Sequence, residues 1–226
     1  MFFHPMDFLI IIAFAVSMWA SYRVKGTFNT WSKVAIRSGM TGYEAARRML
    51  DANGLHDVQV EPIKGQLSDH YDPTQRVVRL SESVYAQHSI AAVSVATHEV
   101  GHAIQHKEHY PALVLRHRMF PIVNISSNIA PYLIIIGLLL GAMNLTLIGI
   151  IFFSAAVAFQ LITLPVEFNA STRARRMMLQ YGFISQDEDR GASKVLNAAA
   201  LTYVAAALIS FLQLLKFVMI FANNRR

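Results

Sequence analysis

Four long apolar runs constrain this chain more than any other feature: residues 8–22 (FLIIIAFAVSMWASY), 122–141, 145–165 and 196–222. Runs of about 20 apolar residues match a hydrocarbon core roughly 30 Å thick. Such segments must satisfy their own backbone polar groups, which makes them helices. The first run is shorter and spans just about a bilayer once Met6, Asp7 and Arg23 at its edges are included. Composition agrees, with 54% hydrophobic and 15% charged residues, against about 25% charged in soluble domains. The formal charge of +6 forms no dense block that would suit nucleic acid. Arg and Lys gather beside the apolar runs instead, as membrane flanks do. Cysteine is absent, so there is no disulfide and no thiolate ligand, and any bound metal must use histidine and carboxylate.

The charges order the segments. A nearly uncharged N-terminus precedes the first run, and Arg23, Lys25, Lys33 and Arg37 follow it. This directs the next segment to the cytoplasm. Positive charge after the apolar core, with no A-x-A site, predicts a retained anchor over residues 1–25 rather than a signal peptide. Residues 26–118 form the cytoplasmic part, closed by the Arg116-His117-Arg118 flank. Residues 119–166 read as a transmembrane hairpin turning at Gly141-Ala142-Met143-Asn144, and Arg173, Arg175 and Arg176 mark the return. A cytoplasmic helix is expected over 167–195 and a last transmembrane helix over 196–226, with Gln213 and Lys216 inside its apolar run. Four spans put Arg225 and Arg226 outside, against the positive-inside trend: either the first anchor's orientation prevails, which is the expectation, or the last helix does not fully cross.

Within the cytoplasmic part, Thr41-Gly42-Tyr43-Glu44 is a capping box opening a helix over 43–52 that ends near Asn53-Gly54. Residues 58–61 read as a strand stopped by Pro62, residues 69–73 (DHYDP) as a turn, and 76–80 as a second strand. Ser89 then caps a helix over 89–106 that contains His98-Glu99-Val100-Gly101-His102. Residues one turn apart share a helix face, so both imidazoles can close on one Zn²⁺ at about 2.0–2.1 Å. Glu99 stands where a general base for a zinc-activated water is needed. Val95, Ala96, Val100, Ala103 and Ile104 make the surroundings uncharged, and Ala96, Gly101 and Ala103 are small enough for a second helix to approach. The competing reading is a core helix with two satisfied histidines, which leaves Glu99 unexplained. His106 lies about 12 Å along the axis from His98, too far to share its metal, and His106 and His109 are expected at solvent or an interface. Val77, Val78, Arg79 and Leu80 are expected to form an edge strand that pairs with substrate backbone.

A catalytic zinc takes three protein ligands and keeps one position open. The continuation H-E-x-x-H-x-x-G-x-x-H fails here, with Gln105 in place of Gly and Glu108 in place of His. Glu167, in L-P-V-E-F-N-A-S-T-R, is the best third ligand, 167 − 102 = 65 residues past the second histidine. A carboxylate at the end of a membrane segment is costly unless paired or coordinated. Pairing with Arg173 or snorkelling to the headgroups is the alternative, and Asp69, His70 and Asp72 are rival ligands.

H-E-V-G-H-A-I-Q from His98, E-F-N-A-S from Glu167, D-H-Y-D-P from Asp69 before V-V-R-L-S, and N-A-A-A-L-T-Y-V-A-A-A from Asn197 together resemble the YugP-type bacterial membrane zinc metallopeptidases over nearly the whole chain. The resemblance implies a membrane-embedded gluzincin distantly related to the HtpX-type proteases. It implies His98, His102 and Glu167 as ligands of one Zn²⁺ per chain and Glu99 as the catalyst. Those relatives follow the glutamate motif with Ala-Asp, whose aspartate orients a ligand histidine. Ala170-Ser171 stands here, and a serine hydroxyl can hydrogen-bond the ring without adding charge.

The expected fold is a mainly α, multi-pass membrane protein with a zincin-like α+β cytoplasmic catalytic portion and a small sheet. The expected activity is zinc-dependent hydrolysis of membrane or membrane-proximal polypeptides at the cytoplasmic side of a bacterial inner membrane. Oxyanion donors are available in His70, Tyr71, Arg173 and Tyr203. The lipid bilayer and a polypeptide substrate are the expected partners, and nucleic acid is not. Two other readings compete. An intramembrane protease needs a spanning motif helix, which the short run before His98 and the charges after it oppose. A non-enzymatic membrane scaffold would keep the fold without the chemistry.

Overall fold

The computed structural model describes residues 5–224. In chain order the elements are α1 (Pro5–Trp31), α2 (Gly42–Ala52), β1 (Gln59–Ile63), β2 (His70–Asp72), β3 (Val77–Ser81), α3 (Glu82–Tyr85), α4 (Ile90–Lys107), α5 (Pro111–Leu139), α6 (Met143–Gln180) and α7 (Gln186–Asn223). The molecule is a mainly α membrane protein with a small mixed sheet. Among the described residues four helices are long and apolar enough to cross a membrane: Met6–Trp31, Pro111–Leu139, Met143–Gln180 and Gln186–Asn223. They contain the four apolar runs except residues 140 and 141, which follow the end of α5. Residues 1–4 of the expected anchor and the Arg225–Arg226 flank lie outside the described residues.

The helices outrun the apolar segments that nucleate them. α6 has 38 residues, about 57 Å at 1.5 Å per residue, nearly twice a hydrocarbon core. Its apolar run therefore continues without a break into the segment that bears Glu167 and the arginines. α7 is equally long. Both are assigned as continuous helices, although Pro165 inside α6 supplies no N–H to its ladder.

The chain divides into two units. One holds α1 up to Ala20, Val114–Pro165 and the chain from Thr202 onward. Its surface is apolar, with Phe8, Phe14, Ile122, Tyr132, Leu139 and Ile151 exposed, as suits lipid rather than water. The α5–α6 hairpin turns at Gly141, where φ is +65°. Below the turn the two helices touch closely: a Cβ on Gly137 would lie 2.6 Å from the Thr146 backbone nitrogen. Lys216, a charge inside the last apolar run, forms an ion pair with Asp7 of α1. The pair joins the start of the first spanning helix to the end of the last and offsets the cost of a membrane-embedded charge.

The second unit, Ser21–Leu113 with Val166–Leu201, holds the conventional hydrophobic core. α2 opens with the expected capping box: Thr41 Oγ1 accepts from the Glu44 N–H, and the Thr41 N–H donates to Glu44 Oε2 at 2.8 Å. Its Ala45, Ala46, Met49 and Leu50 are buried against α4 and the sheet. The helix starts one residue earlier than expected, at Gly42, where a side chain would meet the Val84 carbonyl. α4 is capped by Ser89, whose hydroxyl accepts from the Ala92 N–H at 3.1 Å. Thirteen of the 18 residues of α4 are buried.

The sheet corrects the expected substrate strand. Its order is β1-β3-β2, so Val77, Val78, Arg79 and Leu80 lie on the central strand and not at an edge. β3 pairs in parallel with β1 along Val77–Ser81 and antiparallel with β2 along Val77–Arg79. The Ser81 N–H, beyond the reach of β2, donates to Asp69 Oδ1 at 2.7 Å. Arg79 bridges both neighbours through Glu61 and Asp72. β1 runs through Pro62 to Ile63 instead of stopping, because an edge strand tolerates a missing N–H. The expected turn over 69–73 is displaced: residues 70–72 are β2, and the turn follows, with Asp72 Oδ1 accepting from the Thr74 and Gln75 N–H groups.

α6 lies against α4 backbone to backbone. A Cβ on Gly101 would stand 2.9 Å from the Ala170 carbonyl oxygen and 3.2 Å from its Cα. Glycine at 101 is what permits this approach, and the approach places Glu167 beside the α4 histidines. Gly101→Ala is therefore expected to destabilise the protein by about 1–3 kcal/mol through overpacking. Thermal unfolding in detergent would report a lower melting temperature; an unchanged one would show that the contact has slack.

Candidate metal centre

The three residues singled out as ligands converge. His98 Nε2 lies 3.4 Å and His102 Nε2 3.5 Å from Glu167 Oε2. Among the described residues this is the group of three whose donor atoms lie within 4.8 Å of one another. Two ligand atoms on a tetrahedral zinc at about 2.0–2.1 Å stand about 3.3–3.4 Å apart. The observed separations match that edge and are long for charge-assisted hydrogen bonds. The rings meet edge to face at 84° with centroids 4.8 Å apart, so both Nε2 atoms can turn toward one point. The donor set of two imidazoles and a carboxylate fits zinc.

Burial sharpens the electrostatics. Glu167 is only 3% exposed, which a carboxylate tolerates only with charged or coordinating partners. His102 is pulled down by burial but held above its ordinary value overall by the Glu167 carboxylate. A divalent cation in the same place competes with that proton. Glu99 is buried, and burial raises its carboxyl above the usual range against the pull of His98 and His102; Glu167 and Asp69 add to the rise. A carboxyl moved upward in this way is a better proton acceptor near neutral pH than an exposed one.

Each histidine has a partner at Nδ1. Ser171 Oγ lies 3.1 Å from His98 Nδ1, within hydrogen-bond reach. Gln105 Oε1 lies 3.0 Å from His102 Nδ1. The sequence reading noted Gln105 only as a departure from a spacing and missed this contact. A glutamine inside an otherwise apolar, buried helix was the available signal, since a buried amide must find partners.

The other candidates are engaged elsewhere. Asp69 accepts from the Ser81 N–H and hydroxyl, and Asp72 serves the turn after β2 and Arg79. His70 Nδ1 lies 2.8 Å from the Ser68 carbonyl. Tyr71 Oη meets His106 Nδ1 at 2.9 Å, so His106 anchors β2 to α4. Arg173 pairs with Glu108 at 2.7 Å rather than with Glu167. Tyr203 belongs to α7 in the other unit.

Replacing Glu167 tests the ligand set directly. Purified wild-type protein should carry zinc in stoichiometric amount, and Glu167→Ala should retain far less, as read by elemental analysis. Full zinc content in the variant would place the ligand set elsewhere.

Comparison with known proteins agrees with this geometry. Residues 6–222 match the profile of the family described as "Putative neutral zinc metallopeptidase". The chain is 62% identical over 218 residues to the Bacillus subtilis (strain 168) protein described as "Putative membrane protease YugP", over 96% of this chain and 97% of that one. No solved structure matches the chain. Both matches span the motif helix, Glu167 and the four apolar helices, and this chain is a member of the family described as "Putative neutral zinc metallopeptidase".

Proposed function

We propose that the protein is a zinc-dependent endopeptidase that hydrolyses peptide bonds of membrane or membrane-proximal polypeptides. The convergence of His98, His102 and Glu167 beside a buried Glu99 carries this reading. When bound, Zn²⁺ lowers the pKa of a water molecule and polarises the scissile carbonyl. His98, His102 and Glu167 would hold the ion, with Ser171 Oγ within hydrogen-bond reach of His98 Nδ1. Glu99 takes a proton from the attacking water as oxygen adds to the carbonyl carbon. It returns that proton to the amine nitrogen as the C–N bond breaks. One carboxyl thus serves as base and then as acid.

The site is assigned to the cytoplasmic face of a bacterial inner membrane. Arg and Lys residues flank the apolar runs on the chain segments that carry the motif helix and Glu167, which supports that orientation by the positive-inside rule. The intramembrane reading finds no support, because α4 packs with α2 and the sheet and is not one of the four apolar spanning helices.

Glu99→Gln separates an enzyme from a scaffold. The variant should keep its zinc and cleave an unfolded test protein about 10²–10⁴-fold more slowly than wild type. Equal cleavage would remove Glu99 from the mechanism, and no cleavage by zinc-loaded wild type would favour the scaffold.

A further inference from the structure

A buried amide next to a metal ligand has few orientations available, and for Gln105 the surroundings leave one. The side chain is fully buried. Its Nε2 lies 2.8 Å from the Val166 carbonyl oxygen and 2.9 Å from Asn169 Oδ1. The Val166 carbonyl can only accept. The Asn169 atom accepts as well, because Arg173 Nε donates to it at 2.7 Å. Both amide hydrogens of Gln105 are thereby committed to α6. Its oxygen must face His102 Nδ1 at 3.0 Å, and because that oxygen carries no hydrogen, Nδ1 must be the donor. A neutral imidazole bears one ring hydrogen, so the Nε2 lone pair is left on the Glu167 side. Ser171 imposes no such choice on His98, since a hydroxyl can donate or accept.

We propose that Gln105 is a positioning residue of the metal centre. It holds His102 as the Nδ1–H tautomer, with Nε2 presented to the ion, and it takes its own orientation from the turn of α6 that carries Glu167. Val166 precedes Glu167 by one residue and Asn169 follows it by two, so the same turn supplies one ligand and fixes another. The chain of contacts continues outward from Asn169 through Arg173 to Glu108 at the far end of α4. These contacts tie the part of α4 that follows His102 to the turn of α6 that carries Glu167. This proposal rests on the metallopeptidase reading of the site, but its test does not require proteolysis.

The test is the zinc dissociation constant of detergent-purified protein, by competition with a chromophoric chelator at fixed pH. The absorption spectrum of the Co²⁺-substituted protein and the melting temperature are measured alongside. Gln105→Met keeps the size of the side chain and removes its hydrogen bonds. It should weaken zinc binding about 10–100-fold and change the cobalt spectrum. A lower melting temperature with unaltered zinc affinity and cobalt spectrum would show a merely structural glutamine and overturn the proposal. If Gln105→Met does not fold, Asn169→Ala decides: it leaves Gln105 in place but removes one of its two anchors. Zinc binding weakened about threefold or more supports the proposal, and wild-type affinity overturns it. Wild-type protein that binds no zinc would defeat the metallopeptidase reading itself. Wild-type protein that binds zinc, beside a folded Gln105→Met that binds it equally well, would defeat this inference alone.

Discussion

A carboxylate buried between two imidazoles is the contact on which the molecule depends. Glu167 at 3% exposure is tolerable only where positive charge, from ring protons or a shared metal ion, lies between it and the two Nε2 atoms at 3.4 and 3.5 Å. Removing either the charge or its partners leaves an uncompensated group inside the protein. Its position follows from backbone: Gly101 lets α6 settle onto α4 at Ala170, one turn along from Glu167. The site is therefore built by two helices at contact distance rather than by loops, which is the support a precise ligand geometry needs.

The membrane enters through the length of α6. Its apolar run and its ligand-bearing segment are successive parts of one helix of 38 residues. The buried face of α4 that does not meet α6 is occupied by α2, capped and apolar on one side, and by the sheet. Asp69 joins the loop before β2 to the end of β3, and Tyr71 joins β2 to His106 on α4. Polar side chains that the mechanism does not use thus hold the frame of the site together.

What could be read from the sequence was whatever local periodicity or a single large energetic cost encodes. The i,i+4 histidines, the Ser89 cap and the Thr41–Glu44 capping box each depend on a few adjacent residues, and each was found in place. Glu167 lies far away in sequence, yet a carboxylate at the end of an apolar run advertises itself by its desolvation cost. Strand order depends on long-range pairing, and there the reading failed: the Val77–Leu80 strand is central. Its two adjacent valines, both buried, were the clue, since a strand covered on both faces loses polar alternation. Gln105 escaped notice because an amide does not titrate and carries no spacing rule. Only its partners on α6, more than 60 residues later, reveal its use.

X-ray absorption at the zinc edge of the loaded wild-type protein tests the central claim most directly. The account predicts a shell with scattering from two imidazoles and with light-atom ligands at about 2.0–2.1 Å, including carboxylate oxygen. A shell with one imidazole, or with oxygen ligands alone, would contradict it.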